Sequence, residues 1–200
     1  ACFTGIWIES REHADALTEI TALCHAQGWI LTHWNIEQGL SVAGRGITET
    51  PTNDPLAAIR SLSALAQPEG TTLLVLENFH RFLNSAEMVQ ALIQQIQQGK
   101  QQRTFIVILA PIVQLPIELE NLFVIIEHDL PSREQLLEIA EGIATEEGEL
   151  PSGVALDQVL DAAMGLTRFE AEGAFSLSLV RHRSLTPEAV WELKTGLLKK

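Results

Sequence analysis

Cations are scarce in this chain: 13 lysines and arginines stand against 26 aspartates and glutamates in 200 residues, a formal net charge of −13. Nonspecific nucleic-acid binding is driven by cationic side chains neutralising phosphates, so that class of partner is disfavoured. The one local cluster, Arg181-His182-Arg183, reads as cations gathered at a helix C-terminus. Cysteine is nearly absent. Cys2 and Cys24 have no metal-ligand spacing, and Cys24 falls in an amphipathic helical pattern where a buried free thiol is expected. Long apolar runs are missing as well. The longest, such as residues 105–110, are strand-sized and far short of the roughly 20 residues of a membrane span. No basic-then-apolar signal segment opens the given sequence, and the two cysteines, read as unpaired thiols, fit a reducing cytoplasm as the expected setting.

The most informative absence lies after the first strand. Phe3-Thr4-Gly5-Ile6-Trp7-Ile8 passes through Glu9-Ser10-Arg11-Glu12-His13 into an amphipathic helix, with no Gly-Lys pair at the turn. A phosphate-binding turn needs glycines, so that backbone N–H groups close around the anion, and a lysine for the outer phosphates. Here Glu9 and Glu12 would repel a triphosphate.

What is present is a packed α/β chain. Hydrophobic residues make up 46%, which excludes general disorder. Five strand-like runs, residues 3–8, 29–36, 72–76, 104–109 and 122–127, alternate with helical patterns, which predicts a parallel sheet with crossover helices. Val89, Leu92, Ile93 and Ile96 keep the spacing of a helix laid on that sheet. Gly39 to Asn53, with glycines, Pro51 and several Ser and Thr, reads as a surface loop. It ends at Asp54-Pro55, an N-cap with proline in the first helical position. The glutamines of 94–102 read as a solvated helix end and turn. Past residue 131 the pattern becomes helical only. Ser132-Arg133-Glu134-Gln135 and Thr167-Arg168-Phe169-Glu170 are capping boxes, and Thr186-Pro187 opens a last helix.

Ligands of open parallel sheets bind at the carboxyl ends of the strands. Those ends carry Glu9 and Ser10, Asn35 and Glu37, Glu77 and Asn78, Ala110 and Pro111, then His128 and Asp129. Leu73-Leu74-Val75-Leu76-Glu77-Asn78 has the shape of a Walker B strand. A working version places an aspartate for the water shell of Mg²⁺ and then a glutamate for the attacking water. Glu77 can substitute for the first at a cost in geometry; Asn78 cannot act as a base. Glu77, His80 and Glu9 are conceivable metal ligands, but a Glu-x-x-His at a strand end is more often a helix-start polar pair. Ser10 and His13 suggest a nucleophile and base, yet no orienting third residue or glycine elbow accompanies them; Ser10 as cap of the first helix is the stronger reading. Trp7, Trp29, Trp34 and Trp191 read as core or interface packing.

The order of these pieces resembles the AAA+ ATPase module. Residues 124–136, Val-Ile-Ile-Glu-His-Asp-Leu-Pro-Ser-Arg-Glu-Gln-Leu, look like the family's last core strand running through a Leu-Pro turn into the first lid helix. Residues 165–172, Gly-Leu-Thr-Arg-Phe-Glu-Ala-Glu, look like a lid helix start, with Arg168 near the place of a sensor arginine. Residues 77–83 and 109–120 more narrowly resemble the tandem AAA+ proteins of cyanobacteria, plastids and other bacteria, first catalogued as a hypothetical chloroplast reading frame. In that group the N-terminal module is degenerate and a second module carries the intact motifs.

The resemblance implies an α/β fold: a parallel five-stranded P-loop NTPase-like (AAA+) core over residues 1–131, then a small α-helical lid and the start of a linker over 132–200. It places no catalytic residue and no metal in this region, with Glu77 and Asn78 at a degenerate Walker B position as the cofactor-binding candidates. The sensor position falls at Ala110-Pro111, and Leu119-Glu120-Asn121-Leu122-Phe123 offers no arginine finger. It implies a non-catalytic module acting in assembly, partner binding or regulation. ATP and Mg²⁺ would belong to an adjacent AAA+ module of the same chain, entered through residues 192–200, so that the full-length protein and not this region is the ATPase. A homo-oligomer of the full protein and a further protein partner are expected; nucleic acid and membrane are not. The alternative is an atypical ATPase or a metal-dependent hydrolase using the crevice at the strand ends.

Overall fold

The computed structural model describes residues 3–42 and 53–197. It divides into two compact units, Ala1–His128 and Asp129–Lys200.

The first unit runs β1 (Gly5–Glu9), α1 (His13–Gln27), β2 (Ile30–Asn35), β3 (Gly39–Val42), α2 (Pro55–Leu65), β4 (Thr72–Glu77), a 3₁₀ turn (Phe79–Phe82), α3 (Ala86–Gln102), β5 (Thr104–Ala110) and β6 (Phe123–Glu127). The strands form one six-stranded sheet in the order β3-β2-β4-β5-β1-β6. All neighbours are parallel except β2 and β3. Side chains alternate across the pleat and so supply two cores. Trp7, Leu74, Leu76, Ile106 and Ile108 pack with α2 and α3 through Ile59, Leu62, Leu92 and Ile96. Leu73, Val75, Val107 and Leu109 pack on the other face with Ala16, Ile20 and Cys24 of α1. Burial pushes the Cys24 thiol pKa up, as suits an inert core residue.

The sheet corrects two expectations. It has six strands rather than five, and β3 occupies the start of what reads as a loop. Asn35 makes the difference: its Oδ1 accepts the N–H groups of Glu37 at 3.1 Å and Gln38 at 2.7 Å, and Gly39 adopts φ 71°. That tight turn returns the chain antiparallel, with Leu40 and Val42 buried. Residues 43–52 of the expected loop lie outside the described residues. Ser10 does not cap α1 either. The helix begins at His13, its N-cap is Glu12, and no side chain bonds the cap. Ser10 accepts the Glu12 N–H at 3.0 Å, before the helix starts.

Asp54 caps α2 as expected, accepting the Leu56 N–H at 3.0 Å. The glutamine-rich stretch is helical through Gln102, and Gln95 is buried rather than solvated, paired with the Ser63 hydroxyl at 2.8 Å. At Gly99 the helix touches β5: a Cβ there would stand 2.4 Å from the Thr104 carbonyl oxygen.

The second unit contains α4 (Arg133–Ile143), α5 (Val154–Ala163), α6 (Arg168–His182) and α7 (Pro187–Leu197) around a core of Leu136, Leu160, Phe175 and Val190. Both capping boxes form, at Ser132/Gln135 and Thr167/Glu170. Lys194 donates to the carbonyls of Ala162 and Met164 at the end of α5, at 3.0 and 2.6 Å, satisfying acceptors that the helix itself leaves open. Arg133 bridges to Asp157 and Asp161 of α5.

Candidate functional site

The carboxyl ends of β1, β4, β5 and β6 bring the first unit's polar residues together, as the parallel sheet requires. The turn from β1 into α1 is three residues long, Ser10-Arg11-Glu12, and contains no glycine. A Walker A loop places seven residues from its first glycine to its lysine. The turn here cannot wrap a phosphate group in that manner. It is tied down instead. The Ser10 N–H donates to the Ala110 carbonyl at 2.9 Å, and the His128 N–H to the Glu9 carbonyl at 2.9 Å.

Two side-chain clusters fill this end of the sheet. In the first, the Ser10 hydroxyl lies 2.8 Å from Nδ1 of His128. The other ring nitrogen of His128 faces Glu19 Oε2 at 3.6 Å and Asp15 Oδ2 at 4.0 Å, two carboxylates one turn apart on α1. The histidine that Ser10 meets is thus His128 and not His13, the pairing weighed and set aside from the sequence. The serine is 4% exposed and its oxygen accepts the Glu12 N–H.

In the second cluster, Glu77 at the end of β4 stands between two histidines. Its Oε1 is 3.0 Å from Nδ1 of His13 on α1, and its Oε2 is 3.2 Å from Nε2 of His33 on β2. These three side chains are 16–21% exposed. Asn78 takes the left-handed conformation at φ 55°, which Asn tolerates better than most residues, and its Nδ2 reaches His13 Nδ1 at 3.5 Å. The turn that follows is anchored by Phe79 and Phe82, each packed edge-on against the buried Trp34 with ring centroids 5.5 and 5.7 Å apart. His80 is buried in that turn, and its Nδ1 has no partner among the described residues; nor has Nε2 of His13. Burial, with the charges of Arg81 and His13 adding to it, holds the His80 imidazole pKa below its ordinary value.

The less favoured grouping of Glu77, His80 and Glu9 is not what the described contacts show. Glu77 meets His13 and His33, while Glu9 sits on the sheet beside Ala110 and Glu127 in register. Ala110 is fully buried. Arg168, in the second unit, lies 3.9 Å from Glu172 on its own helix. Trp7 and Trp34 are fully buried core residues, whereas Trp191 is 55% exposed beneath the Lys194 ammonium. Two open clefts lie elsewhere in the first unit. One of about 620 Å³ runs between α2 and α3, lined by Leu56, Arg60 and Gln94, and another lies near Thr4, Thr71 and Lys100. Sequence reasoning missed His33, Asp15 and Glu19. The Asp-x-x-x-Glu spacing was a signal for the last two, since it sets both on one helix face.

Residues 1–128 match the family described as SpoVK-like AAA ATPase, N-terminal domain, and residues 134–200 match SpoVK-like AAA ATPase, second domain. No curated protein matches the chain. Among solved structures, the FIGL-1 AAA domain in complex with ADP is similar at TM-score 0.65 and 11% identity, over 98% of this chain and 72% of that one. A chain of the E. coli MS115-1 HORMA:CdnC:Trip13 complex is similar at TM-score 0.60 and 15% identity, over 96% and 72%. C. elegans PCH-2 is similar at TM-score 0.56 and 12% identity, over 98% of this chain and 61% of that one. At such identities the likeness is one of fold.

Proposed function

Because this chain belongs to the SpoVK-like AAA ATPases, we propose that it is a non-catalytic AAA+ module that acts in assembly, partner binding or regulation of an adjacent ATPase module. The observation that carries this reading is the turn from β1 into α1. It has three residues, no glycine and no lysine, and the space at its mouth is taken by side chains bonded to one another. Phosphate binding relies on N–H groups and cations converging on an anion. Here Glu9 and Glu12 bracket the turn, and the carboxylate at the Walker B position is engaged by His13 and His33.

Glu77 and Asn78 remain the residues of this module that a nucleotide–Mg²⁺ complex would have to engage. Doing so would require breaking both histidine contacts first. The neighbouring positions offer no compensation, since Ala110 and Pro111 carry no side-chain hydrogen-bond donor. One structural neighbour holds ADP and another is part of a complex with HORMA and CdnC. The geometry of this turn favours the second kind of role, with protein as partner and ATP and Mg²⁺ left to the adjacent module.

Calorimetry on this chain with ATP–Mg²⁺ tests the reading. Affinity no better than about millimolar is expected. A micromolar dissociation constant that Glu77→Ala abolishes, or ATP turnover by the pure chain, would overturn it. The regulatory half is tested on the full protein with and without residues 1–200. Unchanged ATPase rate and unchanged oligomeric mass would leave no role in regulation or assembly.

A further inference from the structure

We propose that Asp15, Glu19 and His128 form a binding site for a divalent cation of the zinc class, stapling α1 to the ends of β1 and β6. This goes beyond the nucleotide reading and stands or falls independently of it.

The three residues present one nitrogen and two carboxylate oxygens, all within 4.8 Å of one another. The spacing is the informative quantity. His128 Nε2 stands 3.6 Å from Glu19 and 4.0 Å from Asp15. Both separations exceed the 2.7–3.2 Å range of a nitrogen–oxygen hydrogen bond. Two ligand atoms held about 2.1 Å from a tetrahedral ion stand about 3.4 Å apart, so both contacts of His128 lie within a few tenths of an ångström of that spacing. Two carboxylates and one neutral imidazole also match a dication in charge.

The histidine separates this group from an ordinary acidic cluster, because its outer nitrogen is already oriented. Nδ1 of His128 lies 2.8 Å from the Ser10 hydroxyl, which also accepts the Glu12 N–H at 3.0 Å. The serine is itself held by the Glu12 N–H, so the contact fixes the position of the imidazole ring in either tautomer. In the tautomer with the proton on Nδ1, Nε2 turns its lone pair toward the two carboxylates, ready to share a cation with them. Hydrogen bonding at the far nitrogen is also how metal-ligating histidines are held in tautomer and orientation. The backbone fixes the remaining freedom. The His128 N–H is bonded to Glu9, and Asp15 and Glu19 sit one turn apart on a helix packed on the sheet. The ligand set leaves a coordination position for water or for a group from another molecule.

The test titrates Zn²⁺ into the chain near about pH 7.5 by calorimetry, and follows the His128 ring nitrogens by long-range proton–nitrogen NMR. One equivalent is expected to bind with a change at His128 Nε2, and Co²⁺ in its place is expected to give visible absorption. Glu19→Gln alters a half-exposed side chain, and with an unchanged circular dichroism spectrum its expected loss of at least about tenfold in affinity reports the site itself. Ser10→Ala is expected to weaken binding by about tenfold to a hundredfold through the lost orienting bond. His33→Asn, in the other histidine cluster, is expected to leave Zn²⁺ affinity unchanged. No binding tighter than about millimolar would overturn the proposal. So would binding that survives Glu19→Gln but is lost in His33→Asn, or Zn²⁺ that leaves the His128 resonances unmoved.

Discussion

Replacing Glu77 by glutamine separates a structural clasp from a catalytic carboxylate. In an active module, the acid at the end of this strand serves Mg²⁺ and water, and its amide variant loses turnover while the fold persists. Here the carboxylate receives His13 at 3.0 Å and His33 at 3.2 Å and ties α1 and β2 to β4. Hydrogen bonds to a charged group contribute about 1.5–3 kcal/mol each, and exposed ion pairs about 0–1 kcal/mol. The three side chains are 16–21% exposed, nearer the first case, and the amide retains one acceptor. A net loss of about 1–2 kcal/mol is expected for Glu77→Gln. For a unit of this size that is a fall of about 3–10 °C in Tm. Urea and thermal unfolding measure it, and a double-mutant cycle with His33→Asn is expected to return a coupling of about 0.5–2 kcal/mol. A Glu77→Gln protein as stable as the parent, with zero coupling to His33, would refute the clasp. Any change in ATP affinity would show that the carboxylate meets nucleotide after all.

Three further outcomes are expected. His80 has a lowered pKa in the folded state, so below about pH 6.5 the unfolded chain takes up a proton that the native state refuses. Stability is therefore complete above that pH and falls as pH drops through it, and urea midpoints at about pH 7.5 and pH 5.5 are expected to differ less in His80→Leu than in the parent. Gly99→Ala forces a Cβ to 2.4 Å from the Thr104 carbonyl, and overpacking of about 1–3 kcal/mol outweighs the gain in helix propensity of about 1 kcal/mol; a stabilised variant would contradict the close approach of α3 and β5. Asn78→Gly is expected to be tolerated within about 1 kcal/mol, whereas Asn78→Val adds roughly 1–2 kcal/mol of left-handed strain, both read from urea midpoints.

The elements were legible because their signals are local. Nearly uninterrupted apolar runs mark β4 and β5, Asp54-Pro55 marks the start of α2, and the two capping boxes open α4 and α6. The sheet's carboxyl end was legible too, and with it the placement of Glu77, Asn78 and His128. The partners were not. His33 meets Glu77 only because β2 and β4 pair in a parallel register that aligns His33 with Val75. Ser10 meets His128 across 118 positions of chain, through the pairing of β1 with β6. Gln95 reads as solvated until its partner Ser63, 32 positions away, is placed on the facing helix. The β3 strand was hidden by its composition, since glycine and polar residues suit a loop as well as a short edge strand whose pairing is set by the Asn35 turn.

The two clusters at the sheet end also constrain how such a module can act. A nucleotide switch needs two states that differ in what they contact, and a ligand shifts them only by its differential affinity. Phosphate-binding turns leave N–H groups open so that an anion can select one state. This turn has instead committed its groups internally: Ser10 to Ala110, Glu12 and His128, and His13 to Glu77. On the proposed reading, those bonds leave ATP no second arrangement here to favour. Influence on an adjacent ATPase must, on that reading, pass through surfaces that bind one conformation of that neighbour better than another. Variants that disrupt the sheet-end clusters are then expected to alter the neighbour only as far as they unfold this unit, whereas surface variants that leave stability intact are expected to change the coupling.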